Sequence, residues 1–232
     1  LLMTPKGYLH YDVDNGREMF AELGKDLGIA LSQMVRTIQT HSTGVKLVDM
    51  SNGGEGVERE YGPSGFDGMA TNTKDLLLCT LEADCVPVFI LDPVKEAIAN
   101  VHSGWRGTVG QISANAIKLM QDKFGSKSED LLVAIGPCIC GDCYEVSEDL
   151  ISPFAEKYTE EEMAKLFAPK PNNKYLLDLK QAIKFTVTKL GVKPENIIDC
   201  GCCTYHQDLF DSYRKNGGQK LRMLSGIMLR RN

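Results

Sequence analysis

Three apolar segments of strand length follow one another in the middle of this chain, with no helical pattern between them. They span residues 76–81, 86–91 and 96–101. The second and third are joined by residues 92–95, a four-residue turn of the kind that antiparallel hairpins use. Because strands that run consecutively favour mixed or antiparallel sheets over a doubly wound parallel sheet, this region indicates an α+β fold.

The rest of the chain alternates strand and helix signals. Further strands are predicted over residues 34–38, 131–135, 197–200 and 221–229. Helices are predicted after Asp14 or Asn15 up to Gly28, around Ile117, Met120 and Phe124 up to Gly125, and around Leu179, Ile183 and Leu190 up to Gly191. Two more helices are predicted over residues 147–158 and 160–167. No glycine-rich phosphate loop follows a strand. No composition shift marks a boundary, so we expect one α+β domain over residues 1–232.

Composition and charge exclude several classes of protein. Hydrophobic residues make up 43% and charged residues 25% of the 232 residues, which is ordinary globular usage. The net charge of −5 provides no general basic field for nucleic acid or an anionic membrane. No apolar stretch reaches the roughly 20 residues of a membrane span, and the N-terminus lacks a signal-peptide pattern. We therefore expect a cytoplasmic protein whose eight cysteines are thiols or metal ligands.

A cysteine and a histidine lie at the open end of the predicted hairpin. If Leu91 pairs with Glu96, the register places Cys85 directly opposite His102. Opposed side chains are about 5 Å apart at Cβ, which lets a thiolate and an imidazole share one tetrahedral metal ion. Two ligands bind a metal weakly, so this hypothesis needs a third.

The third ligand is not decided by spacing. The chain has three further histidines, which are His10, His41 and His206. His41 has the best setting, because it follows a strand-like segment and could point into a cleft. His10 lies near the chain terminus, where fraying is common.

The segment after His102 predicts an anion site. Residues 103–110 form a flexible turn that leads into the helix with Ile117 and Met120. A helix N-terminus presents unpaired N–H groups and a partial positive charge, and the Arg106 guanidinium can add a bidentate contact. We therefore expect Arg106 and Gly107 to bind phosphate beside the metal.

Several alternatives compete with this interpretation. Taken singly, Cys85 could be a small buried hydrophobe, His102 a hydrogen-bonded strand residue and Arg106 a surface ion-pair partner. Cysteine with histidine could also act as a hydrolase pair. A second group could hold structural zinc or an iron–sulfur cluster, although its Cys-x-Cys spacing is unusual for zinc: Cys138, Cys140, Cys143, Cys200, Cys202 and Cys203.

Six segments together resemble the motifs of one known family. In order they are QTHSTGV, FDGMATN, LEADCVPV, VHSGWRG, IGPCICGDCYEVSED and CCTYHQDLFDSYRKNGG. They are similar to the YfiH-type laccase-domain or polyphenol oxidase family, whose members are also described as purine nucleoside phosphorylases and peptidoglycan editing factors. The resemblance runs from His41 almost to the end of the chain. It implies a layered α/β fold with mixed, largely antiparallel sheets.

The resemblance also implies a metal and an activity. The family holds a metal, usually zinc, with two histidines and one cysteine, which correspond to His41, Cys85 and His102. The implied reaction is phosphorolysis of adenosine, inosine and methylthioadenosine, with possible adenosine deamination. Two rivals stay open: a copper-dependent polyphenol oxidase with Cu²⁺ at the site, and a non-catalytic, metal-stabilised module in cell-wall precursor editing.

The implied reaction would involve further residues. Arg106 would position phosphate, and Asp84 and Asp67 are candidates for proton transfer or for orienting the ligands. The partners are then a purine nucleoside and phosphate, and the sequence gives no oligomeric state. Where the family has a glycine-rich stretch resembling TTR-x-GGVS, this chain has LLMTPKGYLHYDVDNG, so we expect a truncated N-terminal strand region.

Overall fold

This computed structural model describes residues 1–6, 16–219 and 221–231 of the chain. In this part six strands follow one another between the first and second α-helices, and helices and strands are interspersed after them. The strands are β1 (Leu2–Met3), β2 (Met34–Arg36), β3 (Gly44–Leu47), β4 (Phe66–Thr71), β5 (Leu77–Glu82), β6 (Val86–Asp92), β7 (Ala97–Ser103), β8 (Leu132–Ile135), β9 (Glu145–Ser147), β10 (Phe167–Lys170), β11 (Lys174–Leu177), β12 (Ile197–Asp199) and β13 (Met223–Ile227). The helices are α1 (Gly16–Leu27), α2 (Trp105–Val109), α3 (Ile112–Phe124), α4 (Ile151–Ala155), α5 (Glu160–Leu166) and α6 (Leu179–Lys189). Asp14, Asn15 and His10 lie outside the described residues.

The strands form three sheets, and the largest carries the site. This central sheet has six strands in the order β12-β8-β6-β7-β4-β3. Its inner pairs are antiparallel, whereas β12 runs parallel to β8 and β3 runs parallel to β4. A second sheet has the order β1-β13-β5-β2, and a small sheet has the order β10-β11-β9. The predicted α+β class with mixed, largely antiparallel sheets is confirmed.

The layers follow from the alternation of side chains along the central strands. Val101 of β7 faces the helices and belongs to the same buried cluster as Ile117 of α3, because successive strand residues point to opposite faces. Ile98 faces the second sheet, where it packs with Leu78. Helix α1 covers the far side of the second sheet through Phe20. His102 shares the parity of Ile98, so it lies on the face between the two sheets.

The register of the β6–β7 hairpin differs from the prediction. Asp92 pairs with Ala97, and His102 lies opposite Pro87 rather than Cys85. The turn is displaced because Asp92 stays in the strand, and its carboxylate accepts hydrogen bonds from the N–H groups that follow it at positions 94 and 95. The displacement is an even number of residues, so Cys85 and His102 still point to the same side of the hairpin.

The helix after His102 is also different from the prediction. The segment forms the short helix α2, and α3 begins only after Gly110 and Gln111, the latter with a left-handed φ of 65°. The turn therefore does not lead directly into the helix that carries Ile117. Among the described helices, none combines the length and the apolar character needed to cross a membrane.

Candidate metal centre

His41, Cys85 and His102 come together at one end of the central sheet. His41 lies between β2 and β3, Cys85 directly precedes β6, and His102 is near the end of β7. Their ligand atoms all lie within 4.8 Å of one another. The Cys85 Sγ is 3.8 Å from His41 Nε2, and the two imidazole rings are 5.0 Å apart at their centroids. Two nitrogens and one sulfur at this spacing suit a zinc or copper ion.

The buried carboxylate of Asp67 positions both histidines. Its Oδ2 lies 3.0 Å from Nδ1 of His102 and accepts a hydrogen bond of 2.9 Å from the backbone N–H of His41. Its Oδ1 accepts the N–H groups of Thr40 and Ser42. The carboxylate thus leaves Nε2 of His102 for a metal, which is the carboxylate–histidine arrangement of many zinc sites. It also holds His41 at a left-handed φ of 60°.

The electrostatics of the site favour the thiolate form of Cys85. Burial raises the pKa of the Cys85 thiol, but the positive charge of His102 and hydrogen bonds from both imidazoles outweigh burial and lower this pKa to about 6. Burial lowers the pKa of His102, yet the Cys85 thiolate and Asp67 raise it to about 10. Burial likewise raises the pKa of Asp67, but hydrogen bonds from His102 and from the preceding loop lower it to about 2. The thiolate is the form of cysteine that binds a metal. A histidine ligand must be neutral, so binding of a metal ion would release the proton of His102.

Gly104 gives the three ligand candidates the space they occupy. A Cβ at this position would lie 2.6 Å from Cδ2 of His41 and 3.0 Å from Sγ of Cys85. Carbon atoms in contact are normally about 3.5 to 4.0 Å apart. A side chain at position 104 would therefore displace two of the three ligand candidates.

Two cavities meet at this site. The larger has a volume of about 840 Å³ and is lined by all three ligand candidates, by the aromatic rings of Tyr61 and Tyr213, and by three arginines, which are Arg36, Arg106 and Arg222. Its described lining contains no Asp or Glu. The smaller has a volume of about 140 Å³ and is lined by His41, Cys85 and Tyr144 among others. Three arginines and no carboxylate give this cavity a positive local charge in a protein whose net charge is −5.

Of the two predicted phosphate contacts, only Arg106 lines a cavity. Arg106 is exposed, and its guanidinium lies 4.3 Å from the Trp105 ring centroid. Gly107 is buried, and a Cβ there would make an ordinary contact of 3.4 Å with Cγ2 of Ile112. The role of Gly107 in phosphate binding stays a prediction, and its surroundings are those of a packing residue.

Asp84 is placed next to Cys85 but its carboxylate is already engaged. One oxygen accepts the hydroxyl of Thr204 at 2.6 Å, and the other accepts the backbone N–H of Arg214 at 2.7 Å. Asp84 is buried and has a left-handed φ of 81°. These contacts favour a residue that holds the turn before Cys85 over a free acid or base.

A second group of potential ligands does not include His41, Cys85 or His102, which we call the triad. Cys140, Cys143, Cys203 and His206 have their ligand atoms within 4.8 Å of one another. The sequence pattern groups the cysteines but places His206 only among the candidate third ligands of the first site. The signal that identifies this group is a pair of two-residue gaps, C-x2-C at residues 140–143 and C-x2-H at residues 203–206.

Comparisons with known proteins show the family to which the chain is similar. A family model described as multi-copper polyphenol oxidoreductase laccase matches residues 10–230. The purine nucleoside phosphorylase YlmD of Bacillus subtilis is 35% identical over 219 residues, which are 93% of this chain and 77% of that protein. An adenosine deaminase, RL5, from an unknown prokaryotic organism is 30% identical over 88% of this chain and 78% of its own length.

The fold is similar to that of a solved relative. The crystal structure of YlmD from Geobacillus stearothermophilus superposes with a TM-score of 0.89 at 28% identity, and the alignment covers 98% of this chain and 88% of that chain.

Proposed function

This chain belongs to the family described as multi-copper polyphenol oxidoreductase laccase, and from that premise we propose that it is a zinc-dependent purine nucleoside phosphorylase acting on adenosine, inosine and methylthioadenosine. The observation that carries the proposal is the group of His41, Cys85 and His102 at the wall of a cavity that also contains three arginines. Relatives named purine nucleoside phosphorylase support it.

The metal would be held by the three side chains of the triad. Three protein ligands with a fourth position open are typical of catalytic rather than structural zinc. When bound, zinc would supply Lewis-acid stabilisation of negative charge on an oxygen of the substrate or nucleophile. The Asp67 carboxylate keeps Nε2 of His102 directed to the metal, and the absence of a side chain at Gly104 leaves His41 and Cys85 in place.

The arginines of the larger cavity would bind phosphate. Arg106 and Arg222 line it and can reach a dianion with charge-assisted hydrogen bonds. In phosphorolysis, an oxygen of hydrogenphosphate forms a bond to C1′ of the ribose while the C1′–N9 bond breaks. The electron pair of that bond goes to the purine, which leaves with the proton released by the phosphate. The arginines would hold the nucleophile against C1′.

The purine would bind against the aromatic side chains. Tyr61 and Tyr213 line the larger cavity and are 37% and 49% exposed. The guanidinium groups of Arg36 and Arg222 lie over these rings, 5.0 Å and 5.7 Å from their centroids, and the purine would bind beside them. Adenosine deamination is a second candidate activity of the same site, because one relative is named an adenosine deaminase. In that reaction water adds at C6 of adenine and ammonia leaves.

Copper chemistry is the alternative that the donor set itself raises. Two histidines and one cysteine are also the equatorial ligands of a blue-copper site. A multicopper oxidase needs a histidine-rich cluster in addition, whereas this chain has four histidines in total. His206 lies beside Cys143, away from the triad, so the described part of the chain offers two histidines to this site.

The test is phosphate-dependent release of adenine from adenosine by zinc-loaded protein. We expect adenine and ribose 1-phosphate in equal amounts, and loss of both products in Cys85→Ser. Cys202→Ser changes a cysteine that is outside the triad and should keep full activity. Ammonia release without phosphate would assign deamination instead. Nucleoside binding without any turnover, or sustained phenol oxidation by the copper form alone, would overturn the proposal.

A further inference from the structure

We propose that Cys140, Cys143, Cys203 and His206 form a second, structural zinc site, separate from the triad. This site has four protein ligands and leaves no position for substrate, which distinguishes it from the three-ligand group. The inference does not depend on the proposed phosphorylase activity.

The distances match a tetrahedral ion. The Sγ of Cys143 is 3.0 Å from Nε2 of His206, and the four ligand atoms lie within 4.8 Å of one another. Zinc–sulfur bonds of about 2.3 Å place tetrahedral sulfur atoms about 3.8 Å apart. Small movements of the side chains therefore close the group around one ion.

The backbone holds the ligands on two tight turns. The N–H of Cys143 bonds to the carbonyl of Cys140 at 3.0 Å, and the N–H of Gln207 bonds to the carbonyl of Cys203 at 3.1 Å. The backbone N–H of Cys140 also donates to the Sγ of Cys203 at 3.3 Å. An N–H donor to sulfur stabilises the thiolate that zinc requires. Each turn contributes two ligands with a two-residue gap, which is the spacing of structural zinc sites.

The topology explains why the two turns meet. They follow β8 and β12, which are parallel neighbours in the central sheet. Both turns therefore begin at the same end of the sheet, where the two strands have their carboxyl ends. A backbone bridge between Cys138 and Cys203 continues this pairing beyond the strands. The remaining cysteines of these loops are outside the group: Cys138 is fully buried, Cys200 is exposed and Cys202 is half-buried.

The proposed site would also fix one wall of the first site. Thr204 lies between Cys203 and His206, and its hydroxyl donates to Asp84, the residue before Cys85. Tyr144 follows Cys143 and lines the smaller cavity. The loops held by the second ion therefore support the turn that presents Cys85. Loss of this ion should loosen the cavity wall without removing a ligand from the triad.

The first measurement is the zinc content of protein purified under reducing conditions without added metal. We expect about two zinc ions per chain, about one in Cys143→Ser, about one in Cys85→Ser and none in the double variant. Cys200→Ser is the matched control, because it removes a cysteine of the same loops that is outside both groups, and it should keep both ions. Cys143→Ser should also unfold at a lower temperature than Cys200→Ser.

The second measurement uses the unchanged protein, so that it stands even if a variant fails to fold. In holoprotein we expect Cys140, Cys143 and Cys203 to resist alkylation while Cys200 and Cys202 react, and a chelator should make the first three reactive.

A wild-type content of one zinc that Cys85→Ser abolishes would overturn the proposal. A disulfide among the three cysteines, or an iron–sulfur chromophore in the reduced protein, would overturn it equally.

Discussion

Oδ2 of Asp67 lies 3.0 Å from Nδ1 of His102, and both side chains are buried. The same oxygen accepts the backbone N–H of His41, so one carboxylate sets the ring orientation of one ligand candidate and the backbone position of the other. The relative position of the two histidines therefore depends on Asp67.

Replacing this carboxylate by an amide should weaken metal binding. Asp67→Asn has nearly the same shape, but it removes the negative charge and cannot accept all four hydrogen bonds that the carboxylate oxygens receive in the structure. Loss of such a partner typically costs about 10- to 100-fold in metal affinity. Competition with a chelator of known affinity measures the change. Asp92→Asn alters another buried carboxylate, at the far end of the β6–β7 hairpin, and should leave the affinity of the triad unchanged.

A single methyl group should disturb the triad. Gly104 has a φ of −71°, which alanine adopts without strain, so Gly104→Ala tests contacts alone. Its Cβ would overlap with His41 and Cys85, and we expect at least about tenfold weaker metal binding by analogy with the loss of an orienting contact. Gly107→Ala is the control, because its Cβ meets neighbours at ordinary distance. Equal metal affinity in the two variants would contradict this interpretation of Gly104.

Much of the first site could be predicted from sequence because its central pair is local. Cys85 and His102 flank one hairpin, and even an error of two residues in register kept them on one face. The approach of His41 depends on β3 and β4 pairing in parallel and on Asp67 binding the loop before β3. Hydrophobic spacing carries no information about such long-range pairing. The resemblance to a family identified His41 as the third ligand instead.

The parts that were missed depend on turns with few apolar residues. The small sheet contains the β10–β11 hairpin, whose turn places Asn172 and Asn173 at left-handed φ values of 61° and 54°. Asparagine tolerates the left-handed region and is favoured in turns, but the flanking strands are short and partly exposed. The second metal group needed the adjacency of β8 and β12, which only the folded sheet provides.

The stability of the protein in acid should depend on Asp199. Burial raises the pKa of this carboxyl, but hydrogen bonds from Lys184 and Gly201 and the charge of Lys180 outweigh burial and hold it below its usual value of 3.8. A lowered pKa means that the charged form stabilises the folded state above the unfolded pKa, and that this stabilisation is lost as pH falls through the folded pKa.

The variant Asp199→Asn removes this pH dependence. We expect the melting temperature of the wild type to fall more steeply below pH 3.8 than that of the variant, and the two to differ by a constant amount near neutrality. Thermal unfolding at a series of pH values measures both slopes. Glu161→Gln is a suitable control, because Glu161 pairs with Lys165 on an exposed helix surface and such pairs contribute little. Parallel curves for wild type and Asp199→Asn would show that the half-buried ion pairs of Asp199 with Lys180 and Lys184 have no part in acid stability.

The arginines of the larger cavity should act on phosphate rather than on nucleoside. Arg106 is exposed at the cavity wall and makes its described contact with Trp105, so Arg106→Ala should leave the fold intact. A hydrogen bond to a charged group contributes about 1.5 to 3 kcal/mol, which corresponds to a KM for phosphate about 10- to 100-fold higher. The KM for adenosine should change much less, because in the proposed reaction phosphate would bind the arginines and the nucleoside would bind the tyrosines. Steady-state kinetics with each substrate varied in turn separates the two effects, and Arg230→Ala, which removes an exposed arginine bonded to the carbonyl of Leu27, provides the control.

A rise in the KM for adenosine with no change for phosphate would assign Arg106 to the purine or ribose and move the phosphate site to Arg222.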